Sequence, residues 1–206
     1  VKFEGKSAGE CVDNVVENCA RGGVKSSGKS SPLIQHNVIT DTTLCGIDVT
    51  DSSTARVYDN HISGKHCIGI QVADSTNVAC HGNTVMDSQG TGILVCDSAT
   101  GMFCKNIVVG AVKSGVGVRD TAWPTFVANK VQRCSGSGFV VHGVASGVFR
   151  ENEISYNGVV GVALKGNADA LWEENHVRHN GAHGFLLRED ATGTYQRNIV
   201  EENAMV

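Results

Sequence analysis

The chain has 206 residues, a net charge of −4 at pH 7, eight cysteines and 41% hydrophobic residues. Charges of both signs are mixed along it, without the basic stripe that is typical of nucleic-acid-binding proteins. No apolar stretch approaches the ~20 residues that a membrane-spanning helix requires. We therefore expect no nucleic-acid partner and no insertion into a membrane.

One sequence pattern recurs along the whole chain with a period of 23 residues. Its most regular position is asparagine, found at Asn14, Asn37, Asn60, Asn83, Asn106, Asn129, Asn152, Asn175 and Asn198. Two residues later the side chain is always β-branched, which favours a packed strand. Nine residues after each of the first eight asparagines comes a glycine, from Gly23 to Gly184, and the residue after that glycine is apolar.

In chain order, each copy offers an apolar position before the asparagine, a β-branched one after it, and two alternating positions after the glycine. Alternation at a spacing of two is the periodicity of strands. Strands this short bury a face only by stacking on the next copy. We predict an all-β, right-handed parallel β-helix solenoid of about nine coils with three short strands in each. It would be on the order of 43 Å long at a strand spacing of about 4.8 Å.

The two most regular columns have physical roles in such a solenoid. Stacked asparagine amides both donate and accept hydrogen bonds, so we expect an internal asparagine ladder in which each side chain satisfies the next. Asparagine also tolerates the left-handed backbone of a sharp turn. The glycine column predicts corners where φ is positive or where a side chain would not fit.

The repeat fills the chain, so we expect residues 1–206 to form a single parallel β-helix domain that is a piece of a longer protein. The cysteines do not suggest a disulfide framework. Cys11 and Cys80 share a column but would lie three coils, roughly 14 Å, apart, which is too far to bridge. Cys45 and Cys67, in adjacent coils, are the pair that could approach each other. This usage favours a reducing, intracellular and cytoplasmic location.

Function must be carried by outward positions, because the inward ones are used for packing. One expected outward column changes along the chain from Ser27, Thr50, Ala73 and Cys96 to Arg119, His142, Lys165 and Arg188. Beside it, at the following turn, lie Asp51, Asp74, Asp97 and Asp120. These charges either balance each other on a solvated edge or form a site for a ligand or partner.

Other candidate contact residues are aromatic or apolar. We expect Trp123 to stand out on a turn and Trp172 to point into the core. Exposed apolar groups suggest a protein interface, and the outward apolar set comprises Met86, Ile107, Leu94, Met102 and Val109.

Three histidines, His176, His179 and His183, have the spacing H-x2-H-x3-H. This spacing would converge on a helix but need not do so on a strand that runs into a turn. We therefore expect surface histidines, no metal site and no cofactor.

Repeats such as E-E-N-H-V-R-H-N-G-A-H-G-F-L-L resemble the right-handed parallel β-helix repeats of carbohydrate-binding proteins and sugar hydrolases, which share the pectate-lyase-like superfold. They are most similar to the β-helix repeats of F-box proteins. That resemblance implies substrate recognition within a ubiquitin ligase, a role that would belong to a longer parent protein, since these 206 residues contain no F-box segment.

Two functions remain open. The first is a non-catalytic protein-interaction or scaffold module with a protein partner, which would bind through Arg119, His142, Lys165, Arg188, Trp123, Met86 and Ile107. It is favoured by the cysteine usage and by short turns that provide no long loop to wall a substrate groove.

The alternative is a polysaccharide lyase, epimerase or hydrolase acting on an acidic glycan. The resemblance to β-helix enzymes implies acidic residues on an outer face together with a basic group, and the nearest set is Arg119, His142, Lys165, Asp97 and Asp120. In this alternative the carboxylates would be metal ligands, and Lys165 or Arg119 would be the base.

Overall fold

The 23-residue repeat folds into a coil of three parallel strands. The computed structural model describes residues 1–205, and within them 27 strands form three nine-stranded sheets. We name these sheets A, B and C in the order in which the chain visits them. Register partners lie 23 residues apart, as in the pairing of Ile70 with Ile93. The predicted parallel solenoid with three short strands per coil is confirmed.

The strands alternate strictly among the three sheets. Sheet A contains β1 Lys2–Phe3, β4 Val24–Ser26, β7 Cys45–Val49, β10 Ile68–Val72, β13 Thr91–Val95, β16 Val116–Val118, β19 Phe139–Gly143, β22 Val162–Gly166 and β25 Phe185–Leu187. Sheet B contains β2 Glu10–Val12, β5 Leu33–Gln35, β8 Arg56–Tyr58, β11 Asn77–His81, β14 Thr100–Cys104, β17 Trp123–Val127, β20 Ser146–Arg150, β23 Asp169–Glu173 and β26 Thr192–Gln196. Sheet C contains β3 Val15–Glu17, β6 Val38–Thr40, β9 His61–Ser63, β12 Thr84–Met86, β15 Ile107–Val109, β18 Lys130–Gln132, β21 Glu153–Ser155, β24 His176–Arg178 and β27 Ile199–Glu201.

The core is a column of stacked apolar side chains inside the coil. On sheet B the rings of Phe103, Phe126, Phe149 and Trp172 lie nearly parallel, with centroid separations of 4.5, 5.6 and 4.1 Å. Trp172 is fully buried, as predicted. Stacking of identical positions therefore gives each short strand the buried face that it could not have alone.

The asparagine column forms a continuous internal ladder. The side-chain amide of Asn83 donates to the Oδ1 of Asn106 at 3.0 Å, and that of Asn106 donates to the Oδ1 of Asn129 at 3.0 Å. Each Oδ1 also accepts the backbone N–H of the preceding ladder asparagine, as Asn106 does from Asn83 at 3.0 Å. The buried polar groups thus satisfy one another, as predicted.

The turns differ from expectation in one detail, and the glycine column agrees with one of its two predicted explanations. The left-handed residue is the one before each ladder asparagine, such as Asp59 with φ 51° and Lys105 with φ 53°. The asparagine itself keeps ordinary φ because its side chain must point into the coil. The glycine column is explained by lack of space, since a Cβ added at Gly92 would lie 2.6 Å from the carbonyl oxygen of Gly115.

All eight cysteines are free thiols. Among residues 1–205 there is no helix with the length and hydrophobicity to cross a bilayer.

Candidate functional site

The outward face of sheet A carries an open cavity of about 420 Å³, which we call the proximal groove. Its floor consists of Leu94, Gly117 and Val140, which are register partners on β13, β16 and β19. Gly117 has no side chain, and the Cδ1 of Leu94 leans over it, 3.2 Å from the place that a Cβ would take. Arg119 and His142 line the same groove. A groove therefore exists without a long loop, contrary to the expectation drawn from the short turns.

The four predicted cationic residues follow one another along the edge of sheet A. The backbone N–H of Arg119 donates to Val95 at 3.0 Å, and that of Arg188 donates to Leu164 at 3.0 Å. His142 is paired directly with Lys165 across β19 and β22. Arg119, Lys165 and Arg188 are exposed, whereas His142 is half-buried. The parallel register thus places an imidazole between a guanidinium and an ammonium group from the coils on either side.

His142 is held toward its neutral form. Burial lowers its pKa below the usual 6.5, the charges of Lys165 and Arg119 lower it further, and Asp120 opposes them. A neutral imidazole can accept a proton, whereas an arginine side chain keeps its charge in proteins. The chemistry available at this end of the groove is therefore one basic group between two cations.

The acidic column beside these residues has a structural role. The backbone N–H of Asp74 donates to the carboxylate of Asp97 at 3.1 Å, and the N–H of Asp97 donates to that of Asp120 at 3.2 Å. Asp97 and Asp120 both adopt positive φ, at 58° and 64°. Each carboxylate therefore closes a left-handed corner by accepting a hydrogen bond from the preceding coil. Asp120 also lies 3.5 Å from the Nε of Arg119.

Cys96 was expected to face outward, but it is buried. Burial raises its pKa to about 11, and its thiol donates a hydrogen bond to the carboxylate of Asp97 at 3.4 Å. Together with Asp97 and Asp120 it forms the one group among residues 1–205 whose ligand atoms are close enough, within 4.8 Å of one another, to hold a metal ion. A cation would have to compete with a protonated thiol and with the hydrogen bonds of the acidic column.

The other predicted binding residues lie on different faces. Trp123 is 63% exposed, but it begins strand β17 of sheet B and is not on a turn. Met86 and Ile107 lie on sheet C, Met102 on sheet B and Leu94 on sheet A. The outward apolar set is therefore divided among three faces and does not form one patch with the cations.

The three histidines near the end of the chain are also separated. His176 pairs with Glu201 at 2.8 Å, and His179 pairs with Glu202 at 2.9 Å and stacks on Tyr156. In the described part of the chain, they and His183 do not form a group close enough to share a metal ion.

Sequence reasoning missed the floor of the groove. The outward column Lys25, Asp48, Gln71, Leu94, Gly117 and Val140 has the same 23-residue period as the others. Its change from charged to apolar and then to glycine was a signal that could have located the groove.

Comparison with known proteins agrees with this architecture. The model of the right-handed beta helix region matches residues 1–131 and 68–205. The chain belongs to this family. The predicted right-handed coil is thereby confirmed, whereas the similarity to F-box proteins is not shown. No curated protein matches the chain significantly.

Several solved structures have the same fold. The periplasmic alginate epimerase AlgG superposes with a TM-score of 0.81 at 14% identity, over 98% of this chain and 61% of that one. A double mutant of AlgG gives 0.85 at 15% identity, over 98% and 51%. The catalytic unit of a GH87 alpha-1,3-glucanase from Streptomyces thermodiastaticus gives 0.50 at 11% identity, over 98% and 51%. The chain thus spans roughly half of these longer proteins, and identities this low show the fold alone.

Proposed function

We propose that this chain binds an acidic polysaccharide in the proximal groove and removes a proton from a uronate sugar, as an epimerase or a lyase does. The observation that carries the proposal is His142, half-buried and held neutral between Arg119 and Lys165 beside the groove. The fold likeness to an alginate epimerase supports the same substrate class. This proposal replaces the scaffold module as the preferred function.

The three side chains would divide the reaction among them. The C5 hydrogen of a uronate is adjacent to its carboxylate, so its removal places a second negative charge on that group. Arg119 and Lys165 would stabilise this charge, and the neutral imidazole of His142 would take the proton. Reprotonation of C5 by solvent water from the opposite face inverts this centre. In elimination the C4–O bond breaks instead, a C4–C5 double bond forms, and the departing oxygen takes a proton from water to become a hydroxyl group. His142 replaces Lys165 or Arg119 as the proposed base, because lysine and arginine are charged at neutral pH unless strongly perturbed.

Hydrolysis fits the groove less well. Glycosidases act through a pair of carboxyl groups that flank the scissile bond. The described residues that line the proximal groove include no aspartate or glutamate. Asp97 and Asp120 lie nearby, but each already accepts a backbone hydrogen bond.

Hydrogen exchange at C5 tests the proposal for either reaction. Polymannuronate, polyguluronate and polygalacturonate would be incubated with the protein in D₂O, and deuterium at C5 and unsaturated products would be followed by NMR. We expect exchange with at least one polymer and a loss of about 100-fold or more in His142→Gln. Arg56→Ala, on sheet B, is the matched control and should keep full activity. Absence of exchange with all three polymers, or full activity of His142→Gln, would refute the proposal.

One observation favours protein binding as a second candidate function. Trp123 and Met102, on adjacent strands of sheet B, are 63% and 48% exposed. An exposed tryptophan is a frequent anchor at protein interfaces. We expect a partner captured from lysate to be lost by Trp123→Ser and retained by Lys165→Glu. Capture that neither variant changes would contradict the use of this face.

A further inference from the structure

A second and larger cavity, of about 850 Å³, lies on the same face of sheet A, and we call it the distal groove. It is lined by residues of the first four coils, including Lys2, Arg21, Lys25 and Gln71. Cys67 and Ile68 line both grooves. The two cavities are therefore adjacent along the coil axis and meet at these residues.

One lysine of the distal groove is held in place by an ion pair. Lys25 lies 2.8 Å from the carboxylate of Asp48, which also accepts a hydrogen bond from Gln71 at 3.3 Å. The Asp48 side chain is only 15% exposed, whereas that of Lys25 is 43% exposed. The hydrogen bond to Asp48 raises the pKa of Lys25. The carboxylate thus anchors the lysine from below, and the ammonium group faces the groove.

The charge of this face is opposite to that of the whole chain. Five cationic side chains, Lys2, Arg21, Lys25, Lys113 and Arg119, and one carboxylate, Asp48, line the two grooves. Their formal charge of +4 contrasts with −4 for the chain. Two of these cations also have carboxylate partners outside the lining residues: Lys2 pairs with Glu4 at 2.7 Å, and Arg119 with Asp120 at 3.5 Å. A cationic groove on an acidic protein favours anionic ligands and repels them elsewhere.

The spacing of the strands sets the length of such a ligand. Lys25, Asp48, Gln71, Leu94 and Gly117 are successive register partners on sheet A. Four steps of about 4.8 Å separate Lys25 from Gly117 by about 19 Å. Along this path Asp48 is paired with Lys25, Gln71 and Leu94 are uncharged, and cations stand at both ends. This arrangement suits an extended polyanion that lies along the coil axis.

We propose that the distal groove binds the same acidic polysaccharide chain whose reacting sugar lies beside His142, so that one polymer occupies both grooves. The proposal rests on the proposed function and adds a preference for long substrates. A short oligosaccharide held at Arg119 and His142 does not reach Arg21 and Lys25. A long one gains contacts with these side chains without changing the chemistry.

Charge reversal in the distal groove tests this preference. Affinities for a disaccharide and a dodecasaccharide of the reactive polyuronate would be measured by calorimetry in the His142→Gln background. Adding Arg21→Glu/Lys25→Glu should weaken dodecasaccharide binding about tenfold or more, the equivalent of about 1.4 kcal/mol. Disaccharide binding should change less than about twofold. The matched control Arg56→Glu/Lys105→Glu changes the charge equally on sheet B and its corner and should weaken neither ligand comparably.

Three outcomes would overturn the proposal. Equal weakening of both ligands would indicate a general effect of charge, and an unchanged dodecasaccharide affinity would exclude the distal contacts. Both results are compatible with intact C5 exchange, so they leave the proposed function standing. Failure of the unmodified protein to bind or deuterate any polyuronate would instead refute the two proposals together.

Alkylation of Cys67 provides a second test without a charge change. This thiol is exposed at the junction of the two grooves. Bound dodecasaccharide should slow its reaction with a maleimide about tenfold, an effect that fits near-saturating occupancy. The Cys67→Ser variant measures the background maleimide reaction of the half-buried thiols Cys19 and Cys104. An unchanged rate at saturating dodecasaccharide would contradict a polymer that crosses the junction.

Discussion

Removal of one ladder asparagine should show how much the solenoid depends on its internal hydrogen bonds. Asn106 is fully buried in the fifth coil. Its Nδ2 donates to the Cys80 carbonyl and to Asn129 Oδ1, each at 3.0 Å. Its Oδ1 accepts the backbone N–H and the side-chain amide of Asn83, each at 3.0 Å. Asn106→Ala removes these four hydrogen bonds and a weaker one, which the Cys80 thiol donates to Asn106 Oδ1 at 3.7 Å.

The expected loss in the free energy of unfolding depends on which groups are left without a hydrogen-bond partner. Asn83 Nδ2 still donates to Val57 at 2.8 Å, and Asn129 Oδ1 still accepts the N–H of Asn106. The Asn83 backbone N–H and the Cys80 carbonyl lose the bonds that the side chain supplied. At about 1–3 kcal/mol for each buried unsatisfied group, together with a small cavity, we expect a loss of about 3–5 kcal/mol. Asn106→Asp should cost at least as much, because it places a second acceptor against the Cys80 carbonyl.

Asn14 provides the matched control, since it occupies the same position in the first coil but is exposed. Its Nδ2 donates to Val12 at 2.9 Å and to Asn37 at 3.2 Å, and water can replace these bonds. We expect Asn14→Ala to cost less than about 1 kcal/mol. Urea unfolding, with equal slopes required for the comparison, measures both. Equal losses for Asn14→Ala and Asn106→Ala would refute the argument that burial makes the ladder indispensable.

Three further predictions follow from the core, the buried histidine and the site. Phe126→Ala should cost about 3–5 kcal/mol in urea unfolding because it opens a gap in the ring stack; a loss below that of Asn14→Ala would contradict this. Burial lowers the pKa of His66, so both states are neutral above pH 6.5 and the unfolded chain is protonated first as pH falls. Stability should therefore decline from pH 6.5 down through the folded pKa, and a parallel decline in His66→Gln would exclude this residue as the cause. Lys165→Gln should raise the pKa of His142 and move the acid limb of C5 exchange to higher pH, whereas a limb that does not move would place His142 outside the reaction.

The inward-facing columns of the repeat could be predicted from the sequence alone. Stacking of each copy on the next requires a side chain of the same kind at the same inward position, whether asparagine, as at Asn60 and Asn83, or apolar. The left-handed corners were missed because positive φ is compatible with several side chains. The position before the ladder asparagine is His36 in one coil, Lys105 in another and Ala128 in a third.

The candidate site was harder to predict because its properties arise between coils. The column of Arg119, His142, Lys165 and Arg188 was located, but the burial of Cys96 was not. The groove is lined by side chains of several coils, and its floor is formed jointly by Leu94, Gly117 and Val140. The structural role of Asp97 and Asp120 could not be predicted either, because it depends on backbone N–H groups of the preceding coil that donate to their carboxylates.

A solenoid changes its surface without changing its core, and this separation explains how nine similar coils can present a single candidate site. The environment of His142 is produced by Arg119 in the preceding coil and Lys165 in the following one, and the floor beside it by Leu94, Gly117 and Val140. Each of these side chains can be replaced without disturbing the ladder, since none of them points into the coil. The basicity of His142 and the length of the cationic groove are therefore adjustable independently, the first by its immediate neighbours and the second by the outward residues of coils farther along the axis.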